Sequence, residues 1–261
     1  MTTTLASCAG AVTRAALHLV HHFSVSPDDI AVDAAGRLWI SAREANQLIS
    51  MNPDGTGVAT VMVTGGPEGV AVAGSGVYVA QQNVNAIAEV TPQRRAVITF
   101  PNHTANAGID GIAAGATSQT LLVPDSPNGT LLGLSLSSPP TTRVIATRLG
   151  RPVSAVVGPG GDIFVASESS PGLVVVTPAG NVRKIGGFTD LDEVVGYRGL
   201  LYVTELNRHD VVAVDPTSGA SVVLAVNLPA PQGLAVTAGG TLEIVDSTTA
   251  ALYALPACGV A

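Results

Sequence analysis

Six short segments carry the residues of this chain best suited to chemistry. They are Pro27-Asp28-Asp29-Ile30, Pro67-Glu68-Gly69-Val70, Ile109-Asp110-Gly111-Ile112, Pro152-Val153-Ser154-Ala155, Leu191-Asp192-Glu193-Val194 and Pro231-Gln232-Gly233-Leu234. Their second position is a carboxylate in four of the six: Asp28, Glu68, Asp110 and Asp192. If these side chains share one site, they cannot all stay ionised without compensation. A hard divalent cation with oxygen ligands, calcium above all, is one compensation. A carboxyl group that keeps its proton is another, and it supplies a general acid or base. A turn aspartate that only caps backbone N–H groups is the third reading. The residues alone leave all three open.

Whether they meet depends on the elements between them. Successive segments start 40, 42, 43, 39 and 40 residues apart. A fixed period of this size marks a propeller or solenoid. Each unit carries short strand signals bounded by Gly and Pro, and none has convincing helical periodicity. The second strands align as Leu38-Trp39-Ile40, Val77-Tyr78-Val79, Leu121-Leu122-Val123, Ile163-Phe164-Val165, Leu201-Tyr202-Val203 and Leu242-Glu243-Ile244, with an aromatic at the second position in four of them. Four strands per unit is the propeller blade. The sixth unit stops after its third strand, Ala250 to Leu255, and Thr13 to His22 can supply the fourth. Such closure removes an exposed sheet edge. The expectation is an all-β, six-bladed propeller forming a single domain over 1–261, closed by the N-terminal strand. That closure brings the start of one strand beside the end of the other, so Cys8 and Cys258 are expected to form a disulfide.

In a four-stranded blade, one face collects the entries to the first strands and the loops between second and third strands. The opening segments therefore ring the mouth of the central channel. Asp28, Glu68, Asp110 and Asp192 are the candidate metal ligands. Arg43, Gln81, Asp125, Ser154 and Gln232 are candidate ligand-binding residues on the same face. Asp192, Asp110, His209, His103 and Glu205 are the candidates for catalysis. No HxH or HExxH spacing occurs, which argues against zinc.

The net charge is −7, with 12 Lys and Arg and no basic cluster, which argues against nucleic acid and anionic membranes as partners. No apolar run approaches the ~20 residues of a bilayer span. The first residues, MTTTLASCAG, lack the basic start and apolar core of a signal peptide. A disulfide implies an oxidising compartment, so the expected protein is secreted or lumenal, its leader not present in this chain. The expected partner is a small organic substrate bound by a monomer.

The repeated Pro-x-Gly-hydrophobic-Ala-Val, followed by a Gly turn and an aromatic-led strand, resembles the NHL-like six-bladed propellers. These include gluconolactonase/regucalcin-like hydrolases, strictosidine synthase-like proteins and streptogramin lyases. Leu38-Trp39-Ile40 with Asn46-Gln47-Leu48-Ile49 looks like the lyase repeat, as does Val77-Tyr78-Val79 with Asn85-Ala86-Ile87. The resemblance implies a divalent ion held at blade-opening turns, where Asp28, Asp110 and Asp192 match. It implies first a cation-dependent hydrolase or lactonase. A metal-free cyclase or lyase of secondary metabolism, and a non-catalytic ligand- or protein-binding propeller, are the alternatives.

Overall fold

A computed structural model describes residues 4–101 and 108–259. Its strands form six sheets arranged as the blades of a propeller. Blade 1 runs outward from the axis through Ile30–Val32, Leu38–Ala42, Gln47–Met51 and Ala59–Met62. Blades 2 to 5 repeat this antiparallel order over residues 67–99, 113–147, 152–185 and 191–226. Blade 6 consists of Pro231–Val236, Thr241–Asp246, Ala251–Pro256 and, outermost, His18–His22.

The strands read as continuous apolar runs because blades are covered on both faces. In Leu173-Val174-Val175-Val176, Leu173 and Val175 pack toward blade 5 while Val174 and Val176 pack toward blade 3. Each fully buried side chain of this size stabilises the fold by about 1.5–3 kcal/mol. An apolar cluster of this kind sits between every pair of neighbouring blades. The ring closes where Val245 and Leu252 of blade 6 meet Ile30, Leu38 and Ile40 of blade 1.

The aromatic of the second strand always faces the next blade. Trp39, Tyr78, Phe164 and Tyr202 lie in the clusters between blades 1–2, 2–3, 4–5 and 5–6. Blade 3 has Leu122 at this position and blade 6 has Glu243. Glu243 is fully buried, and neither carboxylate oxygen has a hydrogen-bond partner. Burial pushes its pKa up to about 8.

The closing segment departs from the expected single strand over Thr13 to His22. Val12–Thr13 pairs parallel to Ala225–Val226 at the edge of blade 5. A 3-10 turn, Arg14–Ala16, follows, and only then does His18–His22 pair antiparallel with the third strand of blade 6. Leu17 is the cause of the break, because it drops into the core between blades 5 and 6. The N-terminus therefore straps two blades. Cys8 and Cys258 are bonded at its base, with a sequence separation of 250.

Two expectations follow. Replacing both cysteines by serine lowers stability by about 2–4 kcal/mol, seen as a lower Tm in circular dichroism melts with unchanged strand content. Glu243 acts through pH. Its folded pKa lies above the unfolded value, so its contribution is present at acid pH and is lost as pH rises through about 8. The gap in Tm between Glu243→Gln and the parent should therefore shift in favour of the variant, by several degrees, between pH 5 and pH 8.

Candidate functional site

The opening segments are not free turns. In blades 2, 4, 5 and 6 they lie inside the innermost strand, where the pairing register slips at a bulge. A bulge re-aims side chains. Here it turns the second residue of each segment to the channel mouth. The third position is set by crowding at the axis. A Cβ on Gly69 would stand 2.5 Å from Gly111 Cα, and one on Gly233 would stand 2.7 Å from Asp29 Cα. Direct backbone bonds join neighbouring blades there: Gly69 N–H donates to the Asp110 carbonyl at 2.8 Å and Gly233 N–H to that of Asp28 at 3.0 Å. Hydroxyls pin the same layer. Ser41 donates to the Glu68 carbonyl, Ser126 to that of Pro152 and Thr204 to that of Gln232.

The mouth is a cavity of about 310 Å³ lined by Asp28, Glu68, Asp110, Asp192, Gln232 and Arg43, among others. Desolvation is the main force on its carboxyls, and mutual repulsion adds to it. Asp28 is pushed up to about 6 by burial, with Arg43 opposing. Glu68 is pushed up to about 10 by burial and then by Asp28 and Asp110. Its Oε2 is buried without a hydrogen-bond partner. Asp192 is raised well above the usual range, by burial first and then by Asp28 and Asp110.

Two guanidinium groups offset part of this charge. Arg43 lies 3.6 Å from Glu68 and 2.7 Å from Glu44, and it donates to Gln82. Arg151 lies 2.7 Å from Asp110 and also pairs with Glu168. Asp110 is fixed from several sides, because Gln82 donates to Oδ1 and Ser126 donates to Oδ2 at 3.0 Å. Asp28 and Asp192 form no ion pair among the described residues, and Arg43 and Arg151 act on them only at longer range. Gln232 stands between them instead. With its carboxamide nitrogen turned inward, it donates to Asp192 at 3.0 Å and to Asp28 at 3.3 Å.

A second layer lies beneath. Asp29 accepts from the N–H groups of Ile30 and Val70 at 2.6 and 2.7 Å. Glu193 of the same layer interacts with it electrostatically and accepts from the Ser154 hydroxyl. Burial raises both carboxyls, Asp29 to about 7.

Of the remaining expected residues, those that the structure describes do not line the mouth. Gln81 donates to the Thr64 carbonyl at 2.6 Å. Asp125 accepts two bonds from the Asn128 amide, at 2.9 and 3.1 Å. Glu205 accepts from Thr189 N–H at 2.9 Å and pairs with Arg208 at 3.3 Å. His209 is an exposed residue in the left-handed region of a blade 5 turn, with φ of 59°. His103 lies outside the described residues. Arg151 was not among the expected site residues. Its signal was its place directly before the opening Pro152, in the one blade whose mouth position, Val153, is apolar. The residues able to hold a cation are Asp28, Asp192, Gln232 and Glu68, all hard oxygen donors. Among the described residues, no three His, Cys, Asp or Glu side chains form a ligand group by themselves.

Arg151→Met leaves Asp110 buried without its partner. Because Arg151 is partly exposed, the expected loss is about 1–2 kcal/mol at neutral pH, read by urea unfolding. Adding Asp110→Asn to the same chain should recover most of it.

No family model matches the sequence, and no curated protein matches it. Solved structures resemble the fold. A gluconolactonase from Xanthomonas campestris, XC5397, superposes with a TM-score of 0.77 at 14% identity, covering 91% of this chain and 88% of that one. A streptogramin B lyase gives 0.69 at 13% identity, covering 91% and 96%. A virginiamycin B lyase from Staphylococcus aureus gives 0.66 at 15% identity, covering 92% and 87%. At such identities the likeness establishes the six-bladed propeller and leaves the chemistry to the residues.

Proposed function

We propose that this protein is an enzyme acting on a small organic molecule at the channel mouth, a divalent-cation-dependent hydrolase of lactonase type. The observation that carries the reading is the trio Asp28, Asp192 and Gln232. Two desolvated carboxylates face a single carboxamide with no guanidinium between them. Turned the other way, the same carboxamide presents a third oxygen, and three oxygens facing each other need either a retained carboxyl proton or a cation between them, of which a cation engages all three. Asp28, Asp192 and Gln232 would hold it, with Glu68 as a fourth donor, and calcium suits such ligands best. A bound cation polarises a carbonyl and takes up the negative charge that develops on its oxygen.

The chain's own residues supply the rest. Asp110, clamped by Arg151, Gln82 and Ser126, is the fixed carboxylate that takes a proton from an attacking water. Arg43 holds Glu68 and faces the same cavity, where it can orient a polar substituent of the substrate. Burial of the lining carboxyls strengthens each of these interactions. The Cys8–Cys258 disulfide supports an oxidising compartment as the place of action.

A second reading is a metal-free cyclase or lyase. Its support is Glu68, which keeps its proton at neutral pH and has an unpartnered oxygen. In that case Glu68 is the acid and orientation of the substrate within the cavity does most of the catalysis.

The test is a melt and a turnover assay on a panel of lactones, with chelated protein and with added calcium. Asp28, Glu68 and Asp192 have raised folded pKa values, so cation-free protein should be most stable at acid pH and weaken as pH rises through about 6, where Asp28 ionises. Calcium should restore Tm and turnover, more at pH 8 than at pH 5, and Asp192→Asn should abolish both effects. A chelator that changes neither melting nor turnover sinks the first reading. Loss of turnover in Glu68→Gln under those conditions supports the second.

A further inference from the structure

The position that carries an aromatic in blades 1, 2, 4 and 5 is Leu122 in blade 3, and it pairs across the sheet with Gly133. Leu122 packs toward blade 4 but fills less of that space than an aromatic ring would, and Gly133 opposite adds no side chain. A cavity of about 670 Å³ lies there, lined by Leu122, Gly133, Ile145, Val157 and Ile163, with Thr and Ser hydroxyls at its rim. It is more than twice the volume of the channel mouth. It opens among the turns joining first to second and third to fourth strands, on the face opposite the mouth, and shares no residue with it.

The cavity has one charged lining residue, Arg143. Its chain runs across Gly133: a Cβ built there would stand 3.5 Å from both Arg143 Cγ and Nε. Among the described residues Arg143 joins no ion pair, although the chain carries 19 acidic residues and only 12 basic ones. A cavity with an apolar floor and hydroxyls at its rim thus has a guanidinium without an ion-pair partner in its lining. Guanidinium recognises carboxylate by paired, charge-assisted hydrogen bonds.

We propose that the cleft between blades 3 and 4 is a second binding site, and that it takes a small aromatic carboxylate. The ring occupies the space that an aromatic side chain fills in the sister blades. The carboxylate meets Arg143, and the rim hydroxyls of Thr141 and Thr142 are within the same lining.

The probes are cinnamate and benzoate, with benzyl alcohol and benzylamine as uncharged and cationic controls, measured by ligand-observed NMR and calorimetry. The acids should bind the parent protein saturably. Leu122→Phe, which restores the pattern of the other blades, should raise Tm and weaken acid binding about tenfold or more. Arg143→Gln, an exposed change that leaves the core intact, should weaken the acids to the level of benzyl alcohol. The site assignment fails if neither acid binds, or if both variants bind the acids as the parent does. The charge assignment fails if benzyl alcohol or benzylamine binds the parent as tightly as the acids. Turnover at the mouth is expected to be unchanged in Arg143→Gln.

Discussion

The crowding of like charges at one end of the channel governs this molecule. Six innermost strands approach the axis so closely that three of them admit only glycine at the third position of their opening segment. The residue before it has nowhere to go but the mouth. Placing Asp or Glu there in four blades forces carboxylates into a shared, desolvated volume, and desolvation rather than hydrogen bonding dominates their acidity. The fold can hold such a ring because the hydrophobic clusters between blades are extensive and the backbone around the axis is bonded blade to blade. The charge then has three outlets: ion pairing with Arg43 and Arg151, burial that favours the protonated form of Glu68, and a carboxamide, Gln232, placed between Asp28 and Asp192.

Much of this was legible in the sequence because the repeat is geometric. A period near 40 residues, an aromatic at a constant strand position and a missing last strand lead to six blades, to the closing segment and to the pairing of Cys8 with Cys258. The same period places Asp28, Glu68, Asp110, Asp192 and Gln232 around one mouth. What the period cannot convey is how side chains share charge once they arrive. Arg151 compensates Asp110 from a neighbouring blade, 41 positions away along the chain. Gln82 bridges Asp110 and Arg43, whereas its neighbour Gln81 points elsewhere. Glu205 and His209 satisfy the face rule, yet Glu205 is buried at a strand end among its own partners and His209 is exposed in the turn that follows. The break at Leu17 was hidden for a similar reason, since only the packed core reveals that a leucine has more to gain by leaving the strand.

The two departures from the aromatic pattern are instructive as a pair. Phe or Tyr at Leu122 and Glu243 would have completed the ring, and the two blades resolve the omission differently. Blade 6 buries a carboxyl with no partner, which makes the interface between blades 6 and 1 sensitive to pH. Blade 3 leaves open space beside an arginine. Substitution at this single repeated position changes an interface without disturbing the ring, which is consistent with one architecture serving proteins only 12–16% identical to this one.

The central claim is that the mouth carboxylates form a cradle for a cation. Diffraction from crystals grown with manganese, collected where manganese scatters anomalously, tests it most directly. The account predicts an anomalous peak between Asp28, Asp192 and Gln232, with the carboxamide oxygen turned toward it. No peak at the mouth, with the Gln232 nitrogen facing both carboxylates, would contradict it.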